Sequence, residues 1–320
     1  MSAATPIRPQ QPAAGTAPLH PDLEKLLGFL REARADPPDP FRHQPGLIPK
    51  PSFLTVATFQ RHLNNPLLHP DWAALVYRGQ VVPLQQACFY KIVQAKRLLF
   101  IDKRFLDDYL ARGASIVLEG LDLLDPGVNA FLAQVDAALP CSLANAVAFF
   151  SQRENEAYRG HLDQDDVLVI HLSGEKKWRL FAPQPPRKVN MNELTAEQMG
   201  RQIAEVTMRP GDALYMRSCT PHLCETPGSH SLHLSFDLAD RTPTIESQLE
   251  AALGRYRQAS CSSYTPAGDV AKAFAGILAS DDFAAEAARR TEALRGEARA
   301  FRERIGGASA VRSLSRFESE

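Results

Sequence analysis

Apolar positions divide the chain into a helical front, an alternating middle and a helical tail. Leu23, Leu26, Leu27 and Leu30 recur at the spacing of one helix face and predict a helix over residues 21–35. Further helices are predicted over 55–63, 83–94, 103–112 and 125–139, with strand-like runs at 75–82 and 115–119. Between 142 and 238 the period shortens, and strands are expected at 144–151, 167–172, 176–182, 205–208, 213–216 and 230–238. Ser173-Gly174-Glu175 has hairpin length and predicts that the flanking runs are partner strands. Arg209-Pro210-Gly211-Asp212 reads as a turn, and a polar helical insertion is expected at 192–203. Several short antiparallel strands with Gly and Pro turns predict a jelly-roll, a double-stranded β-helix. Helix periodicity returns at 244–258, 269–278 and 281–305, the last with Phe283, Ala287, Leu294, Phe301 and Ile305 along one face. The expected class is α+β with a mainly β core and flanking helices. Residues 1–51 are expected to be a Pro-rich extension with one helix, 52–242 the barrel domain and 243–320 a helical region.

Charge adds an exclusion. The net charge is −1 with no long run of one sign, so neither a nucleic-acid groove nor an anionic membrane surface is expected. No apolar stretch has the length of a transmembrane helix, and the Pro- and Ala-rich N-terminus carries no apolar core of a secretory signal. The five cysteines, Cys88, Cys141, Cys219, Cys224 and Cys261, are an odd number in a chain long enough to fold without staples. Reduced thiols and a cytoplasmic location follow as expectations.

The candidate chemistry lies in the alternating middle. His161 and Asp163 are two apart, so on an extended strand both side chains point the same way and form a metal edge. His222, in a loop after Pro221, supplies a third donor, with His230 and His233 as rivals. Two imidazoles and a carboxylate suit Fe(II) and leave positions for a bidentate co-substrate and dioxygen. Cys219 and Cys224 flank His222, but their spacing matches no standard zinc pattern. Parity places Ser231, His233 and Ser235 on one polar face and Leu232, Leu234, Phe236 and Leu238 on the other. On the return strand Lys176, Trp178 and Leu180 share an inward face, and Lys177 and Arg179 an outward one. A buried ammonium needs an anion. Either Asp165 or Asp166 provides it, or Lys176 receives the distal carboxylate of a dicarboxylate that chelates the metal at its other end.

The stretch Tyr158-Arg159-Gly160-His161-Leu162-Asp163-Gln164-Asp165-Asp166-Val167, with Leu172-Ser173-Gly174-Glu175-Lys176-Lys177-Trp178-Arg179-Leu180, resembles the JmjC-type, cupin-fold 2-oxoglutarate oxygenases. The similarity continues at Arg209-Pro210-Gly211-Asp212-Ala213-Leu214-Tyr215-Met216, Pro221-His222 and Ser231-Leu232-His233-Leu234-Ser235-Phe236, and spans about 52–240. It is strongest toward the ribosomal-oxygenase and asparaginyl-hydroxylase branch. The resemblance implies iron on His161, Asp163 and His222, and 2-oxoglutarate held at its C5 carboxylate by Lys176, with Asn145, Ser231 and Tyr158 as further co-substrate contacts. It implies no general base, and a substrate that is an amino-acid side chain in a protein or peptide, or a free amino acid. N-methyl-lysine demethylation is an alternative of the same class. A non-catalytic cupin-like metal-binding or scaffold protein is one from another class, and a zinc or manganese isomerase a third. Two features depart from the branch. His171 stands where relatives often carry glutamine, and no winged-helix pattern follows Pro243. The tail helices imply a homodimer instead.

Overall fold

The computed structural model describes residues 22–35, 38–49, 51, 54–138, 142–152, 158–185, 193–239, 245–259 and 267–305. In chain order the strands are β1 (Phe41–Gln44), β2 (Ala73–Tyr77), β3 (Gln80–Val82), β4 (Cys88–Val93), β5 (Lys96–Ile101), β6 (Ser115–Leu118), β7 (Ser142–Gln152), β8 (Asp166–Gly174), β9 (Lys176–Phe181), β10 (Gln202–Met208), β11 (Ala213–Met216), β12 (His222–Glu225) and β13 (His230–Ala239). The helices are α1 (Leu23–Ala33), α2 (Val56–Asn64), α3 (Lys103–Ala111), α4 (Leu121–Leu124), α5 (Pro126–Ala138), α6 (Ala196–Met199), α7 (Ile245–Ala259), α8 (Ala267–Leu278) and α9 (Asp281–Ile305).

Alternation along each strand builds two cores rather than one. An eight-stranded antiparallel sheet runs β1-β11-β8-β13-β7-β6-β2-β3, and a three-stranded sheet runs β10-β9-β12. One face of the large sheet, with Leu168, Ile170, Leu232, Leu234 and Phe236, is covered by Leu26 and Leu30 of α1 and Phe131 and Leu132 of α5. Each fully buried leucine there contributes about 2 kcal/mol. The other face, with Val167, Val169, Leu214 and Met216, meets Trp178, Leu180, Val206 and Met208 of the small sheet. Outside the small sheet, Lys177 and Arg179 pair with Glu205 and Glu225. The jelly-roll, its polar outer face and the tail helices agree with the sequence.

Several expectations need correction. β8 and β9 are not hairpin partners: β8 pairs with β11 and β13, whereas β9 pairs with β10 and β12. At Gly174 the chain leaves one sheet for the other, with a φ of +72°. Residues 83–94, expected as a helix, form a short 3-10 turn (Leu84–Ala87) and then β4, which pairs with β5 in a separate ribbon. The run at 75–82 breaks at Arg78 and Gly79, both left-handed, into the β2–β3 hairpin. The insertion at 192–203 shrinks to the single turn α6, closed by a Thr195/Gln198 capping box, with β10 following at once; Asn192 lies outside the described residues. The expected boundary at residue 52 falls inside one unit, because β1 pairs with β11 and α1 belongs to the same core as the large sheet.

Candidate metal centre

His161 is not part of a long strand, and His222 is not in a loop. His222 opens β12, and His161 meets it in an isolated antiparallel bridge, with His161 N–H donating to His222 O (3.1 Å) and His222 N–H to His161 O (2.8 Å). Paired main-chain bonds therefore clamp together two candidate ligands from distant parts of the sequence. Asp163 follows in the loop, where its carbonyl accepts from Cys219 N–H (2.8 Å). The side chains converge: His161 Nε2 lies 4.0 Å from Asp163 Oδ1, and His222 Nε2 lies 3.8 Å from Asp163 Oδ2. One donor atom from each of the three falls within 4.8 Å of the others.

The hydrogen bonds on the far side of each ring settle which nitrogen faces that point. His161 Nδ1 lies 2.9 Å from Arg159 O, and His222 Nδ1 lies 3.1 Å from Thr220 O. A carbonyl only accepts, so each Nδ1 carries the proton and each Nε2 lone pair is directed at Asp163. Burial, reinforced by the neighbouring His161, lowers the pKa of His222 to about 4, which keeps it neutral as a metal ligand requires. Two neutral imidazoles and a carboxylate fit a divalent ion of the iron type, a donor set that leaves coordination positions for further ligands. Asp237, further along β13, is pushed up to about 6 by burial and then by the charges of Asp163 and Asp165.

The barrel interior leads from this point to Lys176. Trp178 lies against His222 and His233 (ring centroids 5.6 and 5.5 Å), and Phe149 stacks on His233 at 4.9 Å. Tyr158 stands edge-on to Phe149 and His161, and burial raises its phenol to about 12. Lys176 is 0% exposed, and its ammonium donates to Ser151 Oγ (3.2 Å) and Thr226 Oγ1 (3.1 Å). Asp166, one of its two expected carboxylate partners, is engaged by Tyr215, Ser218 N–H and Arg34. Ser231, opposite Ser151 and Gly174 in register, is buried, and its hydroxyl has no hydrogen-bond partner among the described residues. The same holds for Trp178 Nε1, His171 Nδ1 and His233 Nδ1. Several buried polar atoms without partners, grouped around an ammonium, fit a polar anionic occupant.

His161, Asp163, His222, Lys176, Ser231 and Tyr158 are thus gathered in or beside one barrel interior, and His233 lines it without joining the metal cluster. Asn145 has the β7 parity of Phe149 and Ser151 but stands six positions from Ser151, roughly 20 Å along the strand, and its Oδ1 accepts from Gly120 N–H (3.2 Å). Sequence reasoning missed Ser151, Thr226 and Phe149. Parity signals existed: Thr226 is two steps of two beyond His222, and Ser151 and Phe149 share one face of β7.

Residues 126–246 match the family model described as the JmjC domain. The chain is 27% identical over 135 residues to the "Bifunctional lysine-specific demethylase and histidyl-hydroxylase NO66" of Aedes aegypti, a match covering 41% of this chain and 21% of that protein. It is 31% identical over 96 residues to "Ribosomal oxygenase 2" of Bos taurus, covering 29% and 21%. The chain matches about a fifth of the length of these curated relatives. Among solved structures it is similar to Escherichia coli ycfD, with a TM-score of 0.49 at 12% identity, covering 77% of this chain and 66% of that one. The segment that matches the JmjC domain model, residues 126–246, carries all three candidate ligands.

Proposed function

We propose that the chain is an Fe(II)- and 2-oxoglutarate-dependent oxygenase that hydroxylates an amino-acid side chain in a protein or peptide. The observation that carries this reading is the pairing of two sites in one barrel: the convergent His161, Asp163 and His222 donors, and the buried Lys176 ammonium on the inward face of β9. A cupin-like scaffold or an isomerase has no use for a wholly buried lysine, whereas a dicarboxylate co-substrate does.

Iron(II) with 2-oxoglutarate supplies oxidative decarboxylation by dioxygen, which yields succinate and carbon dioxide and delivers one oxygen atom to a substrate C–H bond. His161, Asp163 and His222 would hold the metal, with both imidazoles fixed in orientation by the Arg159 and Thr220 carbonyls. Lys176 would take the distal carboxylate, and the Ser231 hydroxyl, without a hydrogen-bond partner among the described residues, is available as an additional donor. Phe149, Tyr158 and Trp178 exclude water from the space between. No residue is required as a general base. N-methyl-lysine demethylation is a second reading, favoured by the name of the mosquito relative, and begins with the same hydroxylation. A homodimer through the tail helices and a cytoplasmic location complete the proposal. They are supported by the exposed apolar side chains of α9 and by the thiols of Cys88, Cys219 and Cys224, none of which is held in a disulfide.

Succinate formation from 2-oxoglutarate with Fe(II) and ascorbate tests the reading. Wild type is expected to turn over, Asp163→Ala to lose at least about 100-fold, and Lys176→Ala to raise the KM for 2-oxoglutarate by about 10- to 100-fold, the loss of a charge-assisted hydrogen bond. Equal rates in all three proteins, or zinc in place of iron by elemental analysis without an iron–2-oxoglutarate absorption band, would overturn it.

A further inference from the structure

The β4–β5 ribbon belongs to neither sheet of the barrel and plays no part in the chemistry above. Its apolar side chains are turned outward: Phe89 is 51% exposed, Tyr90 56% and Ile92 75%, with Val93 also exposed. Every charged residue between Cys88 and Ile101 is positive, namely Lys91, Lys96 and Arg97. A ribbon that only braced the fold would bury its rings and leave its edges polar.

Register sorts these residues. Phe89 faces Phe100, Lys91 faces Leu98 and Val93 faces Lys96, so one side of the ribbon carries two rings and two lysines. The rings stack at 5.7 Å with an interplanar angle of 23°. On the other side the Arg97 guanidinium lies 3.7 Å over the Tyr90 ring. At the foot of the two phenylalanines is an open cavity of about 580 Å3 whose lining includes Phe89, Phe100, Asp102 and Arg104, with the Asp102 carboxylate accepting from the Arg104 guanidinium. The ribbon's turn, Gln94–Ala95, holds two non-glycine residues in the left-handed region, as a two-residue hairpin turn does.

Flat aromatic faces bordered by lysines, beside an open cavity, are the elements of a single-strand nucleic-acid platform. We propose that the Phe89/Phe100 face of the β4–β5 ribbon binds single-stranded RNA, one base stacking on the rings and the phosphates meeting Lys91 and Lys96. The near-neutral charge of the whole chain does not bear on this, because the positive charge is confined to one ribbon. An acidic peptide satisfies the lysines but leaves the stacked ring faces without a planar partner. An anionic membrane requires the exposed apolar residues on a single face, whereas Ile92 and Tyr90 lie on the side opposite Phe89 and Val93.

The test uses the full chain and a fluorescein-labelled single-stranded RNA of mixed sequence, about twelve nucleotides long, followed by anisotropy. Wild type is expected to bind, with affinity falling as salt rises. Phe89→Ala should weaken binding about 5- to 150-fold, the value of one base–aromatic stack. Lys91→Ala with Lys96→Ala should flatten the slope of log Kd against log salt by about 0.7 for each phosphate no longer neutralised. All three residues sit on the exposed ribbon, so an unchanged thermal midpoint certifies the fold of each variant. Absence of RNA binding at low salt, or affinity and slope unchanged in both variants, overturns the proposal. So does preferential binding of polyglutamate or of phosphatidylserine vesicles through the same residues.

Discussion

Burial makes the neutral imidazole the stable form of His171. The ring is fully enclosed, Nε2 lies 3.0 Å from Gly174 O, and burial lowers its pKa to about 4. In the unfolded chain the same group titrates at about 6.5. Below that value the unfolded state takes up a proton that the folded state refuses, so stability is complete above pH about 6.5 and is lost as pH falls toward about 4. The slope is about 1.4 kcal/mol per pH unit for one such histidine. His171→Gln keeps a donor for Gly174 O and cannot titrate. The loss of thermal midpoint between pH 7 and pH 5 should therefore shrink in the variant, while the midpoint at pH 7 stays within about 1.5 kcal/mol of wild type. An unchanged pH dependence would show that His171 is not protonated in that window. At this scale much of the site was legible. A His-x-Asp pair and the inward parity of Lys176 are properties of spacing alone, and both survive in the folded chain. The backbone clamp between His161 and His222 was not legible, because no local pattern couples residues sixty positions apart.

Elements were legible where one periodicity dominated and obscure where the chain changes sheets. The β8–Gly174–β9 passage carries the composition of a tight hairpin, and only three-dimensional pairing reveals that the strands part there. Gly174 is required twice over. Its φ is +72°, and a Cβ would lie 1.9 Å from His230 O on β13. That oxygen also accepts from Glu175 N–H (3.1 Å), so it has nowhere to retreat. Gly174→Ala should destabilise the fold by about 3 kcal/mol or more, well beyond the cost of a left-handed alanine alone. Because Lys176 lies two residues on, it should also weaken 2-oxoglutarate binding. Urea unfolding and co-substrate titration measure the two effects, and a variant as stable as wild type would contradict the contact. The β4–β5 ribbon resembles a helix in sequence for a related reason. Its turn, Gln94–Ala95, reaches a left-handed geometry without Asn or Gly, so the sequence carries no punctuation between the strands.

Across the whole molecule, the tail is joined to the barrel by a buried charge and presents an apolar face elsewhere. Arg302 of α9 donates to Asp136 (2.6 Å) and Asp122 (3.0 Å), and the other Asp122 oxygen accepts from Ala146 N–H of β7 (3.1 Å). The helix is thereby tied to the wall that carries Phe149 and Ser151. The five apolar positions expected along α9 do not share one fate. Phe283 and Ala287 are half-buried, whereas Leu294, Phe301 and Ile305 are exposed, Phe301 by 54%. Intervals of seven and four place those three on one stripe, and a second copy of the same stripe covers it most simply. Wild type should sediment at twice the chain mass. Leu294→Glu with Phe301→Glu puts charge into that stripe without touching Arg302, and should give a folded protein at the mass of one chain. Arg302→Met works through the other contact: it strands two buried carboxylates and should cost about 3–5 kcal/mol of stability. A wild type already at the mass of one chain, or a double-glutamate variant still at twice that mass, would place the partner surface away from α9 and leave Arg302 with a purely intramolecular task.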